Sequence, residues 1–209
     1  MRRFTAPIGM ALGLGVLSAC GVPAGDGAIS AIPPLTSVPT VPASMTLMGH
    51  AGRDARPPSG YVAFCDRNSD ECVAHPDQPD RISLTAETWA KLEKVNVVVN
   101  TAIRPEEDRE HYGVADFWTV PVDGAGDCED YVLAKRKMLV LLGLPEPALR
   151  ITVVLDHGTV RHAVLTVATD RGDFVLDSLK DEILATDQTD YVWVERQDRA
   201  SRTGWVALR

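Results

Sequence analysis

The chain has 209 residues, 45% apolar and 24% charged, with a formal net charge of -8. That length holds one domain with a real core, or a domain and a tail. The acidic balance argues against a nucleic-acid partner and against a membrane surface held by charge alone.

Residues 1–19, "MRRFTAPIGMALGLGVLSA", start with Arg2 and Arg3, continue uncharged and apolar, and end in small residues. This is the layout of a secretory signal peptide. Leu17-Ser18-Ala19-Cys20 resembles the bacterial lipobox, which implies cleavage before Cys20 and a lipid anchor on that cysteine. An ordinary signal peptide that happens to contain a cysteine is the alternative. Removing residues 1–19 takes away two arginines and no acids, leaving 19 basic and 29 acidic residues and a formal charge of -10. Beyond the first twenty residues no apolar run is long enough to span a bilayer. Residues 20–58, rich in Pro, Gly, Ala, Ser and Thr, read as a flexible tether, and residues 59–209 as the folded domain.

In that domain "YVAF" (61–64) reads as a short strand leading to Cys65 and Cys72, which bracket a six-residue polar loop. In an exported protein a local disulfide is the favoured use, since no histidine stands at zinc-ligand spacing. "LTAETWAKLEKVNVVVNTAI" predicts a helix capped by Thr85, with Trp89, Leu92, Val95, Val99 and Ile103 recurring at three and four. Pro105 ends it. The long acidic connection to residue 126 holds Tyr112, Phe117 and Trp118, which argue for order. A second helix follows "GAGDCEDYVLAKR", with Asp127 as N-cap and Asp130 at the capping-box position, and stops at Gly143 and Pro145. The period then changes to two. "LRITVVLD", "RHAVLTVAT", "DFVLDSL", "YVWVERQD" and "GWVAL" predict an antiparallel meander, so the class is α+β.

Cys128 is left over once Cys20 and the Cys65–Cys72 pair are accounted for. It falls in the first turn of its helix, where unpaired N–H groups and the helix dipole favour a thiolate. A small buried core residue is the alternative. A nucleophile needs a base and a group to orient it. His162 opens a strand, and Asp177 lies among apolar neighbours on the next. If the loop between those strands is even and centred between Asp170 and Arg171, Asp177 lies opposite Val164. His162 and Asp177 are then diagonal neighbours on one face, about 7–8 Å apart. An odd loop would separate them. Each residue alone also reads blandly, as a strand-edge histidine or a turn acid.

The texts "VNVVVNTAI", "YGVADFWTVP", "GDCEDYVLAKR", "LRITVV", "RHAVLTVATDRGDFVLD" and "YVWVERQ" resemble the bacterial transglutaminase-like cysteine proteinases, and within them the LapG-like periplasmic protease group. The resemblance covers about residues 60–197. It implies a papain/transglutaminase-like α+β fold, with the catalytic cysteine at a helix start packed on an antiparallel sheet. It places nucleophile, base and orienting acid on Cys128, His162 and Asp177. The implied function is an exported cysteine endopeptidase working through a thioester on a periplasmic or cell-surface protein, with a surface adhesin as a candidate substrate. Transamidation, or a non-catalytic binding lipoprotein keeping the fold, are the rivals. The N–H of Cys128 would serve the oxyanion, with the indole of Trp118 as candidate second donor. Asp123, Asp127, Glu129 and Asp130 make the surroundings of Cys128 anionic. The resemblance implies that Ca2+, held by Asp127 and Glu129, relieves this. Capping and helix-dipole roles for those two acids, with no metal, are the alternative.

Overall fold

The computed structural model describes residues 53–208. Residues 1–52, and with them the signal peptide, Cys20, His50 and most of the tether, lie outside the described residues.

The chain enters through β1 (Asp54–Ala55), which pairs with the last strand although its composition reads as tether. "YVAF" is helical: α1 runs Ser59–Arg67. A four-residue apolar run does not separate the two periods. Its burial settles the matter, because Tyr61 and Phe64, three apart, are buried while Val62 is exposed. Tyr61 makes edge contacts with Trp118 and Trp205 at 5.5 and 5.6 Å. Cys65, in the last turn of α1, is disulfide-bonded to Cys72.

Helix α2 (Ala86–Ala102) follows the sequence pattern, and Thr85 Oγ1 accepts the N–H of Thr88 at 3.1 Å. Its Trp89, Leu92, Val95 and Val99, followed by Ile103, are buried. The acidic connection is ordered at both ends by a parallel pair, β2 (Arg104–Pro105) with β3 (Ala125–Gly126). Between them lies the one-turn helix α3 (Asp108–His111).

Helix α4 (Cys128–Leu141) ends in a Schellman motif: Leu144 N–H bonds to Leu139 O and Gly143 N–H to Val140 O. Gly143 takes φ 86°, which a side chain would oppose. The expected capping box is absent. Asp127 makes no side-chain cap, and Asp130 instead accepts the N–H of Thr119 at 2.8 Å.

The strands are β4 (Leu149–Asp156), β5 (Val160–Thr169), β6 (Gly172–Asp177), β7 (Lys180–Ala185), β8 (Val192–Gln197) and β9 (Trp205–Ala207). They form one antiparallel sheet in the order β1-β9-β8-β4-β5-β6-β7. The predicted meander holds from β4 through β6, and β7 extends it. β8 then crosses to the far side of β4, which a plain meander does not include. β7 escapes the alternation rule because "KDEILA" exposes its first three residues at the sheet edge. Leu92, Leu139, Leu165 and Leu176 belong to the main core between the helices and one sheet face; Val154, Val164 and Val175 cluster on the other. Among the described residues no helix is long and apolar enough to cross a membrane.

Candidate active site

Strand register brings the site together. β5 and β6 pair as Thr169↔Gly172 through Leu165↔Leu176, around the two-residue turn Asp170–Arg171. Continuing that register sets Asp177 opposite Val164, so the even-loop expectation is met. His162 Nε2–H donates to Asp177 Oδ1 at 2.7 Å, and both residues are buried. Two further donors hold the same carboxylate: Leu179 N–H on Oδ1 at 3.0 Å and the Tyr191 hydroxyl on Oδ2. Asn100 on α2 fixes the backbone, donating to Asp177 O at 3.0 Å. Burial opposes ionisation of Asp177, yet the bonds from His162 and Tyr191 outweigh it and hold the carboxyl below its usual range. Tyr191 is raised, by burial first and then by the carboxylate it serves.

Cys128 reaches β5 one residue from His162. Residues 162, 164, 175 and 177 share one sheet face, whereas α4 packs on the other. The last β5–β6 pair is Leu165↔Leu176, so beyond it the β6 side of β5 is open. There Ala163 N–H donates to Cys128 Sγ at 3.4 Å, one residue from His162. The thiol in turn donates to Glu129 Oε2 at 3.1 Å. With Nε2 committed to Asp177, Nδ1 is the ring nitrogen left for the sulfur. Among the described residues Cys128 is the free cysteine.

The helix start does not by itself give a thiolate. Burial, then the charge of Glu129, push the Cys128 thiol well up, and the Ala163 N–H only partly opposes them. The acids responsible, half-buried Asp127 and Glu129, adjoin the buried Asp108 and Asp130. Burial and the neighbouring Glu129 raise Asp127 to about 8; burial raises Asp130 to about 8, and Glu129 is also raised. Oxygens of Asp108, Asp127 and Asp130 lie within 4.8 Å of one another, as do ligand atoms of Asp127, Cys128 and Glu129. Asp108 Oδ1, Asp127 Oδ1 and Asp130 Oδ2 are buried without a hydrogen-bond partner. Gly126 permits this crowding, since a Cβ there would sit 2.4 Å from Asp130 Oδ2. Orphaned, proton-hungry carboxylate oxygens at this spacing suit a hard divalent cation. Asp123 stands apart, bonded to His111 at 2.8 Å.

Trp118 does not fill the second oxyanion position. Its Nε1–H donates to Asp116 Oδ1 at 2.8 Å, and that carboxylate also accepts Gly60 N–H and Ser59 Oγ–H. The indole is thus a wall of the cleft, clamped to the start of α1. Of the other described histidines, His75 faces Glu146, His111 faces Asp123 and His157 lies in the β4–β5 turn.

Two cavities, of about 390 and 450 Å³, share Ala115, Cys128, Glu129, Arg161 and His162 as lining. One extends past Ser59, Trp118 and Val153; the other extends past Glu106, Glu107, Asp156 and Leu179. Cys128 and His162 therefore line both cavities. Tyr191 and Asp108 were not legible as parts of this site. A tyrosine at a strand start reads as core, and the acids of the long connection carry no period. The one available signal was that a buried carboxylate needs several donors.

The sequence profile of the bacterial transglutaminase-like cysteine proteinases (BTLCP) matches residues 51–209. No curated protein matches the chain. Solved structures of Legionella pneumophila LapG, one calcium-bound and one with no stated treatment, are 33% identical to the chain with a TM-score of 0.46. Each match covers 53% of this chain and 65% of that one. The EGTA-treated form matches alike, with 63% of its chain covered. The chain thus spans less than two thirds of the length of these structures.

Proposed function

The chain belongs to the bacterial transglutaminase-like cysteine proteinases, and from that membership we propose that it is a cysteine endopeptidase with Cys128 as nucleophile, His162 as base and Asp177 as orienting acid. The observation that carries this reading is the buried His162–Asp177 bond of 2.7 Å, with the Cys128 sulfur accepting the N–H of Ala163, the residue next to His162 in the chain. Two cavities open beside Cys128, with different residues lining the rest of each. A peptide that occupies both cavities would extend past Cys128 in two directions, which supports cleavage within a chain.

The reaction is acyl transfer. His162 Nδ1 takes the thiol proton, and Asp177 stabilises the imidazolium through Nε2–H. The thiolate adds to the scissile carbonyl carbon, and the Cys128 N–H at the helix start faces the developing oxyanion. Collapse breaks the C–N bond as His162 returns the proton to the leaving amine. Water, deprotonated by the same ring, then hydrolyses the thioester.

Burial and the carboxylate of Glu129 oppose the thiolate that this cycle uses. We assign Ca2+ to Asp127 and Glu129, with Asp108 and Asp130 adjoining; the orphaned oxygens there support the assignment. Bound there, calcium supplies positive charge that cancels the field on the thiol and stiffens the turn before α4. One of the Legionella LapG structures is calcium-bound.

The signal-like segment and Cys20 support export and a lipid anchor, with the domain in the periplasm and an exported protein, such as a surface adhesin, as substrate. Terminal proteomics of the cell surface tests this. Cells with the wild-type chain should show new N-termini on an exported protein that vanish with Cys128→Ala; identical termini in both would reject the peptidase.

A further inference from the structure

Asp116 and Trp118 both line the cavity of about 390 Å³ that Cys128 shares. The backbone between and beyond them is held from several sides. Phe117 N–H donates to Asp108 Oδ2, and Thr119 N–H to Asp130 Oδ1. Trp118 O accepts from Arg67 Nη2 at 2.9 Å, and the Arg67 guanidinium lies 4.2 Å from the centre of the Phe117 ring. These contacts leave the indole itself to be fixed. Tyr61 meets it edge-on at 5.5 Å. Trp118 is buried, so its Nε1–H needs an acceptor. Asp116 Oδ1 supplies one at 2.8 Å, while Oδ2 accepts Gly60 N–H at 2.7 Å and Ser59 Oγ–H at 3.0 Å. One carboxylate thus ties the indole to the first turn of α1. Gly60 makes the approach possible, since a Cβ there would stand 2.3 Å from Trp118 Cδ1.

We propose that Asp116 is a specificity-determining residue: by holding the Trp118 indole against α1 it sets one wall of the cavity beside Cys128, and that cavity takes an apolar side chain of the substrate next to the scissile bond. This inference rests on the peptidase reading above. Pro58, Val153 and Ala163 give the same cavity further apolar lining. Its charged groups are engaged elsewhere. Asp116 already serves three donors, Arg161 is paired with Glu195 at 3.2 Å, and Glu129 accepts from the thiol. A hydrogen bond to a carboxylate is stronger than one to a neutral oxygen, which suits a wall that must not swing. A fixed wall discriminates between apolar side chains by their fit. A carboxylate beside a helix start also acts as a cap. Capping accounts for the bonds to Ser59 and Gly60, but not for the one to the indole.

The test incubates the full chain, in calcium, with a peptide library made by digesting a bacterial proteome, and reads the new termini by mass spectrometry. The wild-type chain should prefer apolar residues at one position beside the scissile bond. Asp116→Ala and Trp118→Phe should each weaken that preference about tenfold, the smaller of the effects that one methylene has in an apolar pocket. The double variant should be no weaker than either single one, because both break the same bond. Preferences at the other positions should stay as they are. Asp116→Ala with the wild-type preference overturns the inference. So does Trp118→Phe with that preference, which reduces Asp116 to a cap on α1. A uniform loss of cleavage at every position, with a lower Tm, marks a merely structural residue and overturns it as well, as does a wild-type chain with no apolar preference. In all these cases cleavage that depends on Cys128 leaves the peptidase reading standing. If the wild-type chain cuts no more than Cys128→Ala, that reading is lost and the inference falls with it. Where Asp116→Ala does not fold, Trp118→Phe decides alone.

Discussion

Replacing Asp177 by Asn separates two roles that a triad acid combines. Where such a change lets the amide NH2 face the histidine, the ring is held in the wrong tautomer, and rate falls by about 10⁴. The hydrogen bonds around Asp177 forbid that arrangement here. Oδ1 accepts both His162 Nε2–H and Leu179 N–H, so the amide oxygen must occupy that position. The NH2 then meets Tyr191, whose hydroxyl can rotate to accept it. Tautomer and ring orientation survive, and the loss is that of charge. A hydrogen bond to a charged group contributes about 1.5–3 kcal/mol, so the expected fall in acyl transfer is roughly 10- to 150-fold. Turnover of p-nitrophenyl acetate by the calcium-loaded chain measures it, with Asp177→Ala as the reference for complete loss. A fall near 10⁴ in a folded Asp177→Asn would refute the reasoning about Leu179. A fall of less than about threefold would mean that Asp177 does not serve His162 at all.

Tyr191→Phe removes one donor from the same carboxylate. It should destabilise the domain by roughly 1.5–3 kcal/mol and lower Tm by roughly 3–10 °C. Asp177 is depressed in the folded state, so this stability is present above the unfolded value and is lost as pH falls through the folded one. Melting curves should show the full deficit at pH 7 and convergence with wild type in strong acid; a deficit independent of pH would argue against the bond. Asp127 and Asp130 behave oppositely. Their protonated forms favour the folded state, a contribution complete below about 3.9 and lost as pH rises through about 8. Each pKa unit that survives solvent screening is about 1.4 kcal/mol. In EGTA the domain should therefore melt higher at pH 5.5 than at pH 8.5, and calcium should erase the difference; equal melting in EGTA would contradict the assignment of these acids. Gly126→Ala places a Cβ against Asp130 Oδ2. Overpacking of this kind destabilises by about 1–3 kcal/mol, and calorimetry should show weaker calcium binding. Unchanged affinity would place the cation elsewhere.

The parts of this molecule that the sequence announced are those with a strong period. Trp89 to Ile103 marked α2, and the alternation in β4, β5 and β6, with an even turn at Asp170–Arg171, fixed the register that joins His162 to Asp177. What stayed hidden was decided by tertiary partners. Tyr61 and Phe64 became helical because a helix lets both face the core beside Trp205. Asp127 and Asp130 read as caps by position, yet their oxygens turn to Asp108 and to Thr119 N–H, which no local rule anticipates. Trp118 read as a donor by type, and Asp116, two residues away, holds its N–H. Lys135 and Arg136 are charged, yet both are buried in α4.

The proposed peptidase activity requires that Cys128 owe its reactivity to His162. An activity-based thiol probe, applied to native and denatured chain in calcium, measures that directly. Strong labelling of native protein, absent in Cys128→Ala and sharply reduced in His162→Ala, is the predicted result. Labelling confined to denatured protein, or native labelling indifferent to His162, would contradict it.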